Sequence, residues 1–294
     1  MGVAVTSGIL ATLKDLQNDK ASSSTELPSR LPSRVIATVR SEGSQKKVQA
    51  AFSAYESAAA IDVFRGNNVE AVKASDLVLL ACKPYMVKDI LAESGLVDAL
   101  KGKILVSICA GWTEEKLAEI TGPETTVVRA MPNTASLIRE GMTVIGTSTP
   151  PLPQETTTLL TWMFKCIGDV VYLPPHLMDV STALCGSAPA FFSLMLDGAI
   201  DGAVAMGVPR ADATRMAAQV MRGAAGLVQS GEHPAILREK VSTPGGCTIG
   251  GLLVLEDAAV RGTVARSIRE ATVVASQLGK GVQGVNGTRH PPLQ

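Results

Sequence analysis

The chain has 294 residues, of which 46% are hydrophobic, and it carries 27 basic and 27 acidic residues. This length and composition exclude a disordered polypeptide and allow two modest domains with cores of their own. A net charge of zero gives no broad basic surface, so we expect a small-molecule partner and no nucleic acid.

The first part of the chain predicts a helix followed by a loop. The helix covers residues 3–16, and the polar, serine- and proline-rich stretch QNDKASSSTELPSRLP at residues 17–32 predicts an extended surface loop.

From residue 34 to about residue 173, short apolar runs alternate with helix-like stretches. The runs are VIATV, LVLLAC, ILVSIC, TVVRAM, MTVIGT and VVYL. Alternation of this kind predicts a parallel sheet with helices on its faces. The near-continuous hydrophobicity of the runs is typical of strands that are covered on both faces.

From His176 onward the sequence predicts long helices rich in alanine and methionine, broken by Gly-Val-Pro at 207–209 and Pro-Gly-Gly at 244–246. Its most apolar stretch, residues 189–206, contains Asp197 and Asp201, which favour a buried helix over a membrane span. We therefore predict an α/β domain at 1–174, an all-helical domain at 175–280 and a disordered tail at 281–294.

The five cysteines are scattered, without CxxC pairing and odd in number, as is typical of reduced, mostly buried thiols. None of the three histidines has a second histidine or cysteine at ligand spacing. We therefore expect a cytoplasmic protein with no metal site and no membrane association.

In an open α/β sheet, ligands bind at the carboxyl ends of the strands. VIATV is followed by Arg40 and Ser41, where a site selective for NAD would place an acidic residue. The pair suits a 2′-phosphate, although an ordinary solvated basic turn remains an alternative. Lys83-Pro84, Ala110-Gly111 and Met131 to Thr134 follow the next runs and predict one dinucleotide crevice.

The segment VSTPGGCTIGGLLVLE, residues 241–256, predicts a turn that leads into a buried helix. Its paired glycines expose backbone N–H groups ahead of a helix that begins near Thr248, which is suited to binding a carboxylate. A plain helix entry with Thr248 as its cap is the alternative.

The stretch PAILREKVSTPGGCTIGGLLVLE resembles the signature of the pyrroline-5-carboxylate reductase family, in a fungal-like form. The resemblance continues through SDLVLLACKP, SICAGW, VRAMPNT, DVSTALCGSAPAFF and MAAQVMRGAAGLV in family order. It implies an N-terminal Rossmann-like NADP-binding domain followed by an all-helical domain for dimerisation and substrate binding.

The resemblance also implies site residues. The cofactor, NADPH with NADH possible, would contact Gly2, Arg40, Ser41, Asn68, Ala81, Lys83, Pro84, Ala110 and Gly111. The substrate would contact Asn133, Thr182, Ser187, Thr243, Gly245, Gly246 and Thr248. Family members form homodimers or larger rings of dimers.

The implied reaction is hydride transfer from the nicotinamide to the C=N carbon of 1-pyrroline-5-carboxylate, which gives L-proline. No strong protein nucleophile is required, and the hydroxyl of Thr248 is assigned the role of donor near the ring nitrogen.

Several positions depart from the family pattern. Family members begin with a strand and a turn of the form GFIGxGxMG, whereas this chain opens at Met1-Gly2. Either the first strand is absent and Gly2 is the remnant of its turn, or the start is assigned too late. The family pattern also has other residues at Pro175, Cys185, Ala188, Asp197 and Cys247.

These departures leave two further hypotheses. One is an imine reductase that acts on a substituted pyrroline carboxylate in secondary metabolism. The other is an inactive, truncated paralogue that serves as an oligomer partner.

Overall fold

The computed structural model describes residues 1–18, 26–282, 285 and 287–288. Residues 19–25 of the predicted 17–32 loop, and most of the predicted 281–294 tail, lie outside the described residues. Contacts divide the chain into two compact units, one made of residues 1–186 with 272–294 and the other of residues 187–271. These units are defined by contacts within the chain, so they do not test the predicted domain boundaries at 1–174 and 175–280, which stay a prediction.

The first unit contains the strands and the shorter helices. Its strands are β1 (Arg34–Val39), β2 (Ala60–Arg65), β3 (Leu77–Leu80), β4 (Ile104–Ser107), β5 (Thr126–Met131), β6 (Gly141–Gly146) and β7 (Gly168–Leu173). Its helices are α1 (Gly2–Gln17), α2 (Glu42–Phe52), α3 (Asn68–Lys73), α4 (Val87–Leu91), α5 (Leu96–Leu100), α6 (Glu114–Thr121), α7 (Gln154–Lys165) and α8 (Met178–Ser181), followed by a π-helical turn, Thr182–Ser187.

The strands form two sheets. β1 and β2 pair in parallel, and the second sheet has the order β3-β4-β5-β6-β7. In the dinucleotide-binding topology a first strand pairs with the strands that correspond to β1 and β3. No strand precedes α1 among the described residues, and β1 and β3 are not paired with each other.

The predicted sheet was right for six apolar runs and wrong in two respects. β2, with the sequence AIDVFR, was not predicted, because Asp62 and Arg65 interrupt the apolar pattern of this edge strand. β6 runs antiparallel to β5, whereas we expected only parallel strands. The connection between β5 and β6, residues 132–140, is shorter than the dozen or so residues that a parallel crossover needs.

Helix α1 connects the two sheets. Its Val5, Ile9 and Leu13 pack in the core formed with strands β4 to β6 and α7. Its Leu10, on another face, packs with Val48 of α2 and with the apolar side chains of β1 and β2. A third cluster, built mainly from α4, α5 and α6, covers the other face of β3 and β4. The result is a layered α/β unit whose first helix contributes to two cores.

The second unit is helical. It contains α9 (Ala188–Ala205), α10 (Arg210–Gln229), α11 (Pro234–Lys240), α12 (Cys247–Asp257) and most of α13 (Val260–Gly279). The predicted breaks at 207–209 and 244–246 are confirmed, because α9 ends at Ala205 and α12 begins at Cys247.

The prediction that the apolar helices are buried was wrong for the single chain. In α9 only Ala188 and Ile200 are buried, and α12 has no buried residue. Among the described residues, the segment Pro175–Ala205 is long and apolar enough to cross a membrane, a criterion of length and composition only.

Candidate functional site

The N-terminus of α1 lies against the end of β3. A Cβ built on Gly2 would lie 2.6 Å from the Cβ of Ala81, closer than real Cβ atoms approach. Glycine at this position therefore permits the contact. No side chain caps the helix at Met1, so its first backbone N–H groups remain free for an anion.

Arg40 and Ser41 follow β1 directly. Ser41 caps α2, and its Oγ accepts a hydrogen bond from the backbone N–H of Ser44 at 3.2 Å. Arg40 is exposed, and in the described part of the chain no ion pair engages its guanidinium. A basic side chain beside a helix N-terminus suits a phosphate group.

Asn68 begins α3, after β2 ends at Arg65. Its Nδ2 donates to Oε1 of Glu93 at 2.7 Å. The structure therefore places Asn68 at the same end of its sheet as Arg40, with its amide already paired to a carboxylate.

The turns after β3 and β4 are joined to each other. Lys83 begins the single turn of 3₁₀ helix at Pro84–Met86, and the indole Nε1 of Trp112 donates to the Pro84 carbonyl at 2.9 Å. Gly111 has φ of +77°, a conformation that favours glycine. Ala81, Lys83 and Ala110 are exposed on these turns. The structure thus brings together the predicted cofactor residues of two neighbouring strands.

Two cysteines in these turns form a contact that the sequence reasoning missed. The Sγ atoms of Cys82 and Cys109 lie 3.9 Å apart, and Cys109 Sγ also donates to the Cys82 carbonyl at 3.4 Å. The hydrogen bond with Cys109 lowers the pKa of Cys82 to about 7. The hydrogen bond with Cys82, together with burial, raises the pKa of Cys109. The sequence contained a signal for this pair, because the predicted strand runs LVLLAC and ILVSIC both have cysteine as their last residue.

Asn133 and Thr182 are engaged within the first unit. Asn133 Nδ2 donates to the Cys185 carbonyl at 3.1 Å, and its Oδ1 accepts from the backbone N–H of Met142 at 3.3 Å. The Thr182 hydroxyl donates to the Met178 carbonyl at 2.8 Å and lies 2.8 Å from Sδ of Met131. These bonds fix the start of the π-helical turn Thr182–Ser187, a local geometry that is frequent at functional sites.

The predicted substrate turn lies in the second unit. Gly246 is the N-cap of α12 and offers no side-chain cap, so the alternative in which Thr248 caps the helix was wrong. A Cβ on Gly246 would lie 2.5 Å from Thr243 Oγ1, and Gly245 has φ of +67°, so both positions favour glycine. The first backbone N–H groups of α12 are free, and a half-buried Thr248 lies in its first turn. This arrangement suits a carboxylate.

The comparisons with known proteins agree with this geometry. Residues 175–278 match the family model described as pyrroline-5-carboxylate reductase dimerisation, and residues 13–111 match that described as NADP oxidoreductase coenzyme F420-dependent. A pyrroline-5-carboxylate reductase from Lophium arboricola is 60% identical, covering 98% of this chain and 93% of the relative. This chain belongs to the pyrroline-5-carboxylate reductase family.

Other members of the pyrroline-5-carboxylate reductase family give the same result. The enzyme of that name from Neurospora crassa is 56% identical, with coverage of 99% of this chain and 94% of the relative. Among solved structures, the Coxiella burnetii pyrroline-5-carboxylate reductase superposes with a TM-score of 0.78 at 24% identity, covering 94% of this chain and 95% of the other. The Plasmodium falciparum pyrroline carboxylate reductase with NADP bound has a TM-score of 0.74 at 24% identity, and the match covers 95% of this chain and 94% of the other. These two structures establish the fold.

Proposed function

We propose that this protein reduces 1-pyrroline-5-carboxylate to L-proline with NADPH. The observation that carries the proposal is near-full-length similarity, at 60% and 56% identity, to two fungal pyrroline-5-carboxylate reductases. The local geometry supports it at two places, the strand ends of the first unit and the glycine turn of the second.

The strand-end residues of the first unit suit NADPH. Arg40 and the Ser41-capped end of α2 provide charge and N–H groups for the 2′-phosphate. The free end of α1, held beside Ala81 through Gly2, is suited to the pyrophosphate. Lys83, Pro84, Ala110 and Gly111 would line the nicotinamide half, and NADH would bind the same turns without the contribution of Arg40. When bound, NADPH supplies the hydride that reduces the imine carbon.

The glycine turn of the second unit suits the substrate carboxylate. The Gly246 N–H is used within the turn, where it donates to the Thr243 carbonyl at 3.1 Å, so the N–H groups of the first turn of α12 would bind the carboxylate oxygens, with the Thr243 hydroxyl nearby. The Thr248 hydroxyl would donate to the ring nitrogen and so hold a proton there, which favours addition to the C=N carbon. Asn133, Thr182 and Ser187 complete the proposed set of substrate residues.

Homodimerisation, with rings of dimers as the larger form, is part of the proposal. Of residues 187–271, only Ala188, Ile200 and Ala213 are buried in the single chain. Large apolar side chains on α9, α10 and α12 are exposed, among them Leu194, Val220 and Val254, at 74%, 70% and 68%. Large exposed apolar side chains in such number on one unit are typical of a protein interface. The match of this region to a dimerisation family model supports the same proposal.

The cytoplasm is the proposed compartment. Five free cysteines among the described residues are compatible with a reducing environment. Imaging of the tagged full-length chain tests this placement, and a signal confined to a membrane organelle would contradict it.

The activity is tested by following NADPH oxidation with 1-pyrroline-5-carboxylate. Thr248→Val, which keeps the shape but removes the hydroxyl, should lower kcat about 100-fold, whereas Thr248→Ser should retain most of it. Ser53→Ala is the control, because Ser53 bonds only locally, to the Ala50 carbonyl. Unchanged turnover in Thr248→Val would remove the assigned donor. Turnover on alkylated pyrroline carboxylates but none on the plain substrate would favour a specialised imine reductase.

A further inference from the structure

Cys82 and Cys109 occupy matching positions just beyond the ends of the neighbouring strands β3 and β4. The β3–β4 register pairs Leu80 with Ser107, and the ladder continues with Ile108 N–H donating to the Leu80 carbonyl at 3.1 Å. Each cysteine lies two residues beyond that pair, so the two are directly opposite. Adjacent strands lie about 4.8 Å apart, within the Cα separation of about 4.4–6.8 Å that disulfides span.

The side chains already face each other. Their Sγ atoms are 3.9 Å apart, so a disulfide of about 2 Å needs an approach of about 2 Å. The Sγ of Cys109 lies 3.4 Å from the carbonyl oxygens of both Leu80 and Cys82, contacts that keep it beside its partner.

The two thiols differ in access. Cys109 is buried, with 2% of its surface exposed, whereas Cys82 is only half-buried. A small oxidant therefore meets Cys82 first. The hydrogen bond from Cys109 also favours the thiolate of Cys82, which is the reactive form.

We propose that Cys82 and Cys109 form a peroxide-sensitive dithiol whose disulfide weakens binding of the nicotinamide cofactor. The Cys82 thiolate attacks one oxygen of hydrogen peroxide, the O–O bond breaks, and the departing hydroxide takes a proton from solvent to give water. Cys109 Sγ then attacks the sulfenic sulfur, the S–O bond breaks, and the leaving hydroxide takes the proton of the Cys109 thiol. Two thiols are oxidised, one peroxide is reduced, and two waters form.

The effect on the cofactor rests on the proposed function. Cys82 lies between Ala81 and Lys83, and Cys109 precedes Ala110 and Gly111. Closing the sulfur pair would reorient both side chains and constrain the two turns that carry them. Displacements of about 1 Å in a binding site are sufficient to cost up to about 100-fold in function, and we expect the NADPH dissociation constant to rise at least about tenfold.

The disulfide is tested directly by mass. The reduced full-length protein is treated with a small excess of hydrogen peroxide, alkylated and digested with trypsin. Cleavage after lysine, with the Lys83-Pro84 bond resistant, leaves Cys82 in peptide 74–88 and Cys109 in peptide 104–116. The expected product is these two peptides linked, lighter by two hydrogen atoms than their sum and separated by dithiothreitol.

Variants provide the controls. Cys109→Ser should give no link and should leave Cys82 as a sulfenic acid that dimedone traps, and Cys82→Ser should give neither. Cys247→Ser, which removes the exposed cysteine, should retain the link. A failure of peptides 74–88 and 104–116 to link in the folded protein, or a link from Cys82 to another cysteine, overturns the proposal.

NADPH titration of the same samples tests whether the disulfide weakens cofactor binding. Weaker binding in the linked protein that dithiothreitol restores supports it, and equal affinity before and after linking overturns it. A reduced protein that does not bind NADPH contradicts the proposed function instead, and the mass measurement still decides the cysteine pair.

Discussion

Asn133 holds the carbonyl of Cys185, with its Nδ2 donating to that oxygen at 3.1 Å. Its Oδ1 accepts from the backbone N–H of Met142, at 3.3 Å. Both ends of the amide are therefore used, one on the π-helical turn Thr182–Ser187 and one on the second residue of β6. This geometry favours a role for Asn133 in positioning Thr182 and Ser187.

The Asn133→Ala variant should loosen this turn. It leaves a carbonyl and an N–H without their partner, which costs about 1–3 kcal/mol of folding stability. We expect faster hydrogen exchange in residues 182–187 and a rise in the substrate KM. The measurements are urea unfolding and exchange mass spectrometry.

Asn18→Ala is the matched control, because it removes an exposed asparagine whose Nδ2 donates to the Lys14 carbonyl at 2.7 Å. Exchange that stays unchanged in Asn133→Ala while substrate binding is lost would show a direct substrate contact rather than positioning.

The contact between Gly2 and Ala81 predicts a compensating pair of substitutions. Gly2→Ala places a Cβ 2.6 Å from the Cβ of Ala81, so α1 must shift, at a cost of about 1–3 kcal/mol, with weaker NADPH binding. Outside α1 itself, no other atom of the described residues lies within 4 Å of that Cβ, so adding Ala81→Gly should restore most of both losses. A double-mutant cycle of denaturant unfolding measures the coupling. Additive losses in the double variant would show that the contact is not the cause.

Arg40 should determine the preference for NADPH over NADH. Removal of a charge-assisted hydrogen bond to the 2′-phosphate costs about 1.5–3 kcal/mol. Arg40→Ala should therefore weaken the binding of NADPH about 10- to 100-fold and leave the binding of NADH nearly unchanged. Comparison of kcat/KM for the two cofactors measures this. Lys73→Ala is the charge-matched control, since Lys73 pairs with Glu70 at 2.7 Å. Equal losses for both cofactors in Arg40→Ala would contradict contact with the phosphate.

The pKa of Cys82 predicts a pH profile for its alkylation. The hydrogen bond from Cys109 lowers this pKa from 9.0 to about 7, so the thiolate fraction, and with it the rate with iodoacetamide, should rise through a midpoint near pH 7. Cys109→Ala removes the largest cause, and the midpoint should move up toward 9.0. Peptide mass spectrometry of 74–88 reports the modified fraction. The same midpoint in both proteins would show that Cys109 does not lower the pKa.

The sequence predicted features that depend on local pattern and left out those that depend on partners in space. Six strands followed from apolar runs, and the cofactor turns followed from what comes after each run. β2 was not predicted, because an edge strand tolerates charged residues such as Asp62 and Arg65, which interrupt its apolar pattern. The engagement of Asn133 could not be predicted, since Cys185 lies 52 residues away along the chain. The exposure of α12 in the single chain could not be predicted, because apolar composition does not distinguish a helix of the chain's own core from a helix of an interface.

Helix α10 predicts where a charge should dissociate the oligomer. Met216, Val220 and Leu227 fall on one stripe of this helix at helical spacing and are 59%, 70% and 48% exposed in the single chain. Val220→Glu would bury a carboxylate in the interface, so we expect dissociation to smaller species and loss of activity. Light scattering coupled to gel filtration measures the mass. Ala218→Glu adds the same charge to the opposite face of α10 and should leave assembly intact. An unchanged mass for Val220→Glu would place the interface on other helices of the second unit.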